Sequence, residues 1–410
     1  DPKAVEDRHQ RALQIAHRLL TISMPEQELH VKVRAHHLCD VCTFQEPFDV
    51  VLLAVKAYDT RWACEMIKPH VAESGMVIGM QNCMVAGIIR EVIGPERSIA
   101  CVLELSSEMF TPGQVKRNTP PKKTWIGLGL LEGGPAHRLD EMQKLLSPVG
   151  KVEIKANILA AKWTKLVVNA MCLGPFAMVG LTLLDAVKLP GMRDLIVEIG
   201  NEAMHAGQNL GYQLEPIFGL TPADLAGSNQ PAELLFDTLA SHIGPGRGRN
   251  TVLQDFLKNR PSEVSMINGL VAEENQKRGR PSPANARVAE IARQIESGKL
   301  KPSPDNMALA LHVSARLPGR DALLIQPFDQ SRASLKPNDL LVVDFDGKVL
   351  AGPKDKRPVS EVFLHTEILR ARPDVNSVAH FHHELTTVFT LVEGLELKLI
   401  KNHAVRWVSG

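Results

Sequence analysis

The run FDVVLLAV at positions 48–55 is apolar throughout apart from Asp49, and Lys56 ends it. A strand with one wet face alternates apolar and polar residues, whereas a strand covered on both faces does not. This run therefore predicts a buried parallel strand with helices packed on either side. Its neighbours extend the pattern. A helical stretch reaches to about Glu73, followed by a strand at GMVIGMQN (75–82), a helix over 83–93, and strands at SIACVLEL (98–105) and TWIGLGL (124–130). Strands alternating with helices predict an α/β domain built on a parallel sheet.

The rest of the chain divides by its local grammar. Residues 4 to 22 place Val5, Ala12, Ile15, Ala16, Leu19, Leu20 and Ile22 at helical spacing, which predicts an amphipathic lead-in over 1–29. The α/β domain is expected over 30–152 and an almost wholly helical domain over 153–303. SGKLKPSPDN (297–306) reads as a linker, because Pro302 and Pro304 forbid helix continuation. Over 304–410 the pattern is strand-rich again, with LHVSARL, DALLIQ and DLLVVDF, a DG turn at Asp346–Gly347, a helix over 359–372 and the strand NSVAHFH.

A chain of 410 residues has room for two or three compact domains. Its formal net charge of +1 offers no electrostatic case for nucleic acid or an anionic membrane. Leu166 to Leu184 is uncharged, but Asn169, Gly174, Pro175 and Gly180 within it favour a buried helix over a membrane span. The six cysteines lie in the first half without small-scaffold spacing, and no signal peptide opens the chain. Free thiols in a reducing cytoplasm are expected. The opening residue, Asp1, suggests a cropped or processed chain.

Several polar residues fall at places where chemistry collects. Lys56 stands at the carboxyl end of a strand, where open α/β sheets bind ligands. MQN brings Asn82 to the end of the next strand. In AKWTKLVVNA, Lys165 and Asn169 are four apart and share a helix face. TVLQDFLKNRPSEVSMING carries Thr251, Asp255 and Glu263, and GRPSPAN (279–285) follows. Each is weak alone; solvated helix and strand ends explain most such residues. In this order the set resembles the ketopantoate reductase family, over about residues 30 to 303.

That resemblance implies an incomplete Rossmann-like domain, a helical substrate and dimerisation domain, and NADPH-dependent reduction of a 2-keto acid (2-dehydropantoate to pantoate). It places the general acid at Lys165, which would protonate the carbonyl oxygen as hydride reaches carbon. It places Glu263 on the substrate hydroxyl, Asn169 and Thr251 in the substrate pocket, and Lys56 and Asn82 beside the cofactor. A homodimer through the helical domain is also implied. The chain departs from the pattern in three respects. No G-x-G-x-x-G occurs before Gly75, the first glycine, although dinucleotide binding needs such a turn. Cys83 stands where the family has glycine, and Leu173 where it has a second asparagine. GLGLLEGG (127–134) is read as a strand-to-helix turn and not a phosphate loop.

Two further clusters carry metal-type spacing. HHLCDVC (36–42) holds Cys39 and Cys42 as a lone C-x-x-C, which is weak evidence for metal or redox chemistry against two cysteines in or beside a strand. In SVAHFHH, His380 and His382 share one face of a strand, roughly 6–7 Å apart, and could bind one divalent ion. From about residue 309 to the end, HVSARLPGRDALLI, LKPNDLLVVDFDG and LHTEILRARPDVNSVAHFHH resemble the class II aldolase/adducin family. The resemblance implies a partial α/β domain, zinc on His380 and His382, Glu361 as acid–base carboxylate, and Ser360 holding an anionic group. The family's third histidine would fall beyond Gly410, and His403 matches no ligand position. Three readings stay open: a keto acid reductase, a zinc-dependent aldolase or decarboxylase, and a fused or truncated chain without catalysis.

Overall fold

The computed structural model describes residues 20–189, 191–243, 248–280, 282–310, 312–327, 337–359, 362–375 and 377–380. It divides into two units, Asp1–Leu184 with Ile196–Asn306, and Asp185–Leu195 with Met307–Gly410.

The first unit begins, among described residues, with a hairpin and not with the end of a helix. Strands β1 (Leu20–Ser23) and β2 (Glu28–Val31) pair antiparallel, and the turn closes through the Met24 N–H to Gln27 O at 2.8 Å. Residues 1–19 lie outside the described residues, so the expected helix over 4–22 is corrected only at its end. The physical reason is that Leu20 and Ile22 serve a strand's alternation as well as a helix's, and pairing decides between them. Here β1 gains a second neighbour, lying parallel to a strand far along the chain.

The main sheet runs in the order β3-β4-β5-β8-β9. Strand β3 is Phe48–Leu53, β4 is Val71–Gly79 and β5 is Ser98–Glu104, and these three pair parallel. The crossovers are α1 (Thr60–Ile67) and α2 (Ala86–Ile93). The ribbon β6 (Ser107–Thr111) and β7 (Gln114–Arg117) follows β5 and joins the β1–β2 sheet. Only a short 3-10 turn (Pro121–Lys123) and no α-helix intervenes before β8 (Trp125–Gly129), and β8 therefore returns antiparallel to β5. Helix α3 (Leu139–Leu146) then restores a parallel step to β9 (Lys151–Ile154). The sheet is thus parallel over its first three strands and mixed beyond them.

Alternation along β5 splits the core. Ile99 and Cys101 pack with Met142 and Leu146 of α3, whereas Ala100 and Val102 face Ala86 and Ile158 on the other side. Strand β3 is the edge among the described residues, and it leaves Leu52 at 47% exposure despite its core-like sequence.

Helix α4 (Ile158–Met178) is buried on nearly every side, as its unbroken hydrophobicity requires. Around it lie α5 (Met192–Asn209), α6 (Pro222–Gly227), α7 (Pro231–Ile243), α8 (Thr251–Leu257), α9 (Val264–Gln276) and α10 (Pro283–Glu296). Pro175 removes one backbone donor inside α4. Side-chain amides take up carbonyls nearby: Asn268 donates to Ala170 O at 3.1 Å, and Asn250 to Cys172 O and Leu173 O at 3.2 and 3.1 Å. GRPSPAN also finds its place. Buried Glu202 accepts from the backbone of Ala284 and Asn285 and from the side chains of Ser282 and Asn285, which caps the start of α10.

The second unit is an antiparallel sheet in the order β13-β12-β11-β10-β14. Its strands are β10 (His312–Arg316), β11 (Ala322–Ile325), β12 (Leu341–Asp344), β13 (Val349–Ala351) and β14 (Ser377–His380). Helix α11 (Val362–Ala371) covers one face through Val362 and Leu369, which join Leu323, Ile325, Leu341 and Val343 in one core. The DG turn lies where expected, with Gly347 at φ 83°, a left-handed backbone that glycine adopts without penalty.

Candidate functional site

The site is built where α4 crosses the carboxyl ends of β4 and β5. Three polar residues on one face of α4 project toward those ends: Lys162, Lys165 and Asn169, spaced by three and four. The Asn169 amide donates to Asn82 Oδ1 at 3.2 Å. The Lys165 ammonium pairs with Glu104 Oε1, at the end of β5, at 2.9 Å, and its nitrogen stands 5.9 Å from the centre of the Phe218 ring. Lys162 is buried, and its nitrogen donates to Gln81 O at 3.1 Å and Cys101 O at 2.9 Å. Burial, the largest influence, lowers the Lys162 pKa, opposed by Cys101, Cys83 and Glu263.

A second group assembles at the end of β3. Asn250 caps α8 by accepting from the Leu253 N–H at 2.8 Å, and its amide fastens that end to α4. Thr251 at the start of α8 and Asp255 one turn on are thereby presented to Lys56. The Lys56 ammonium donates to Thr251 Oγ1 at 3.0 Å and pairs closely with the Asp255 carboxylate. Glu263, 3% exposed at the start of α9, accepts from the Ala57 N–H through Oε1 at 2.8 Å. Its Oε2 lies 3.8 Å from Lys56 Nζ, too far for a hydrogen bond. Burial raises the Asp255 pKa, and Lys56 works against it. Tyr58, whose hydroxyl donates to Pro261 O at 3.1 Å, is pushed up to about 12, first by burial and then by the charges of Asp255, Asp59 and Glu263.

The structure therefore joins Lys56 with Thr251 and Glu263, and Asn82 with Asn169, while Lys165 takes Glu104 as its partner. Sequence reasoning missed Lys162 and Glu104. Both follow a helix–strand contact that spacing within α4 cannot report, although Lys162 stands one turn before Lys165 on the same face. Cys83 sits at φ 65° and is 5% exposed, so the position where the resembled family has glycine does require left-handed backbone. His380 closes β14 opposite His312 of β10. Ser360, Glu361 and His382 lie outside the described residues, as does the side chain of His380. Among the described residues no group of three or more His, Cys, Asp or Glu side chains is arranged to hold a metal ion.

The fit to a dinucleotide is uneven. Lys56 and Asn82 stand just past the carboxyl ends of β3 and β4, where open α/β sheets bind ligands. The diphosphate needs a strand leading through a glycine turn into a helix N-terminus. Among the described residues β3 has no such strand beside it. The later glycines do not substitute, since the Gly134 and Ala136 amides bond to Leu131 O and Gly134 O within their own turn. The diphosphate half of the cofactor does not fit the described residues.

Comparison with known proteins sorts the chain into three matched regions. Residues 3–129 match the ketopantoate reductase PanE/ApbA family model, residues 157–296 match the ketopantoate reductase PanE/ApbA C-terminal model, and residues 306–410 match the class II aldolase and adducin N-terminal domain. A 2-dehydropantoate 2-reductase of Archaeoglobus fulgidus is 22% identical over 267 residues, 63% of this chain and 80% of that protein. A 5-methylthioribulose-1-phosphate/5-deoxyribulose-1-phosphate aldolase of Rhodospirillum rubrum is 43% identical over 101 residues, 25% of this chain. The chain spans only 41% of that aldolase's length. Among solved structures, a PanE/ApbA family ketopantoate reductase from Ralstonia eutropha JMP134 superposes with a TM-score of 0.59 at 22% identity, over 71% of this chain and 89% of that one. D-mandelate dehydrogenase with NADH and anilino(oxo)acetate gives 0.60 at 17% identity, over the same shares. At these identities the structural likeness establishes the fold. No helix among the described residues is long and apolar enough to cross a membrane.

Proposed function

From a chain that carries both ketopantoate reductase regions followed by a class II aldolase and adducin region, we propose that the first unit is a 2-keto acid site of the reductase type. Its substrate is a small keto acid of the 2-dehydropantoate kind. Lys56 and Asn82 would hold the nicotinamide end of NADPH, which would supply the hydride. Proton transfer and positioning rest on the chain's own side chains. Lys165 donates the proton to the keto oxygen, and Glu104 holds the ammonium in place at 2.9 Å. Asn169, steadied by Asn82, and Thr251 line the substrate, and Glu263 Oε2 takes its hydroxyl.

The observation that carries this reading is the α4 face, which sets Lys165 one turn from an asparagine already bonded to the β4 end. The test is NADPH oxidation with 2-dehydropantoate, alongside calorimetric binding of pantoate. Lys165→Ala should lower turnover by about a hundred- to ten-thousandfold while pantoate still binds. A chain that neither consumes NADPH nor binds pantoate would sink the proposal. Dimerisation through the helical domain is part of the same reading and is tested by the molar mass in solution.

The identity over the last quarter of the chain favours a second activity, a metal-dependent aldolase or decarboxylase chemistry in residues 306–410. His380 and His382 would bind zinc, with Glu361 and Ser360 serving the substrate. Purified protein should then hold zinc that the His380→Ala/His382→Ala variant lacks. Equal zinc content in the two proteins would remove this reading. Absence of both activities would leave the chain non-catalytic.

A further inference from the structure

The HHLCDVC segment takes no part in the keto acid site, yet its geometry is specific. Leu38–Thr43 forms a six-residue 3-10 turn between β2 and β3. In a 3-10 helix residues i and i+3 eclipse one another, separated by about 6 Å along the axis. Cys39 and Cys42 stand in that relation, so their side chains project on the same side. An axial separation of about 6 Å falls inside the range of Cα distances that a disulfide spans. The Cys42 thiol already leans back on this turn, donating to Cys39 O at 3.1 Å.

Both cysteines are exposed, and the other four are buried. Burial separates their chemistry as well as their access. It pushes the Cys64 thiol up from 9.0 to about 11, which leaves about a hundredfold less thiolate than an ordinary cysteine holds. Cys101 and Cys172 rise further, to about 12, and Cys83 moves in the same direction.

The turn is fastened at both ends. Phe44 packs edge-on against His36 at 4.9 Å, Phe48 at 5.4 Å and His70 at 5.7 Å. On the other side, the Asp40 carboxylate accepts from the His37 N–H at 2.8 Å, and His37 Nδ1 accepts from the Cys39 N–H at 3.2 Å. A metal reading lacks its ligands. One nitrogen of His37 is taken by the turn, and no group of three donors forms among the described residues.

We infer that Cys39 and Cys42 are a reversible dithiol–disulfide site that exchanges with small disulfides of the glutathione class. In the first step one cysteine thiolate attacks a sulfur of the small disulfide and expels one thiolate. The other cysteine then attacks the protein sulfur of the mixed disulfide and expels the second. Two electrons pass from the pair to the small disulfide, and the two cysteine protons end on the released thiols. The eclipsed placement favours the second step, because it sets both cysteines on one side of the turn.

The experiment uses the full chain, fully reduced, exposed to oxidised glutathione while folded, then unfolded in denaturant and alkylated with N-ethylmaleimide so that the four buried thiols react as well. Intact mass and peptide mapping should show two of the six cysteines protected, both in the peptide holding residues 39–42, with the loss of two hydrogens and no added glutathione. Dithiothreitol should restore both alkylation sites. Cys42→Ser should instead keep glutathione on Cys39, a trapped mixed disulfide. Three results would each overturn the inference: both thiols remaining open to alkylation, separate glutathione adducts on each cysteine of the unaltered chain, or protection that a metal chelator removes and a reductant does not. None of these readouts depends on keto acid chemistry.

Discussion

Asn169 and Asn82 are joined by a 3.2 Å hydrogen bond that ties the middle of a buried helix to the end of a sheet strand. One amide fixes the other, on the same α4 face that carries Lys165. On the proposed reading, such a pair would orient a ligand at small entropic cost.

Asn169→Ala should therefore weaken pantoate binding by about tenfold, the worth of one net hydrogen bond. Calorimetry on the variant measures it, with the thermal midpoint as control for folding. Unchanged affinity would place Asn169 outside the substrate pocket.

Lys162 tethers the segment just after β4 to the middle of β5, so Lys162→Met should leave the Gln81 and Cys101 carbonyls without this donor. Each loss costs about 1–3 kcal/mol, and urea unfolding should show the combined decrease. The pH dependence has a definite sign. The folded-state pKa lies below 10.5, so between the two values the unfolded chain holds a proton that the folded chain lacks. Stability should rise with pH across that window, up to the unfolded value near 10.5, and the Met variant should lose this rise.

Lys56→Met should strand the buried Asp255 carboxylate, costing about 3–5 kcal/mol. Lys56→Met/Asp255→Asn should recover much of the loss. The folded Asp255 pKa is raised above 3.8, so this group's contribution to stability is full below 3.8 and fades as pH climbs through the raised value. A double-mutant cycle by denaturant unfolding at two pH values reads both effects. Additive losses would deny the coupling.

Gly174 permits α4 to pack tightly. A Cβ there would meet Val288 Cγ1 at 2.6 Å and Asn268 Oδ1 at 2.9 Å. Gly174→Ala should destabilise the first unit by about 1–3 kcal/mol although alanine is the better helix former. A rise in thermal midpoint would show that the neighbours can retreat.

The sequence by itself determined the alternation of β3, β4 and β5 with their crossover helices, the burial of α4, and the elements that bear Lys56, Asn82, Lys165 and Asn169. These follow from local periodicity, since apolar spacing reports which face of an element leaves water. The β1–β2 hairpin was not legible, because Leu20 and Ile22 suit either periodicity until a partner strand is present. The reversal of β8 likewise depends on which strand it pairs with.

Tertiary structure alone decided the partners. Lys56 meets Asp255 across 199 positions, Lys162 reaches Gln81 across 81, and Lys165 settles on Glu104 across 61. An ion pair is a property of distance in space, and no spacing along a chain encodes it once helices pack on a sheet. Burial then lowers the pKa of Lys162 and raises that of Asp255.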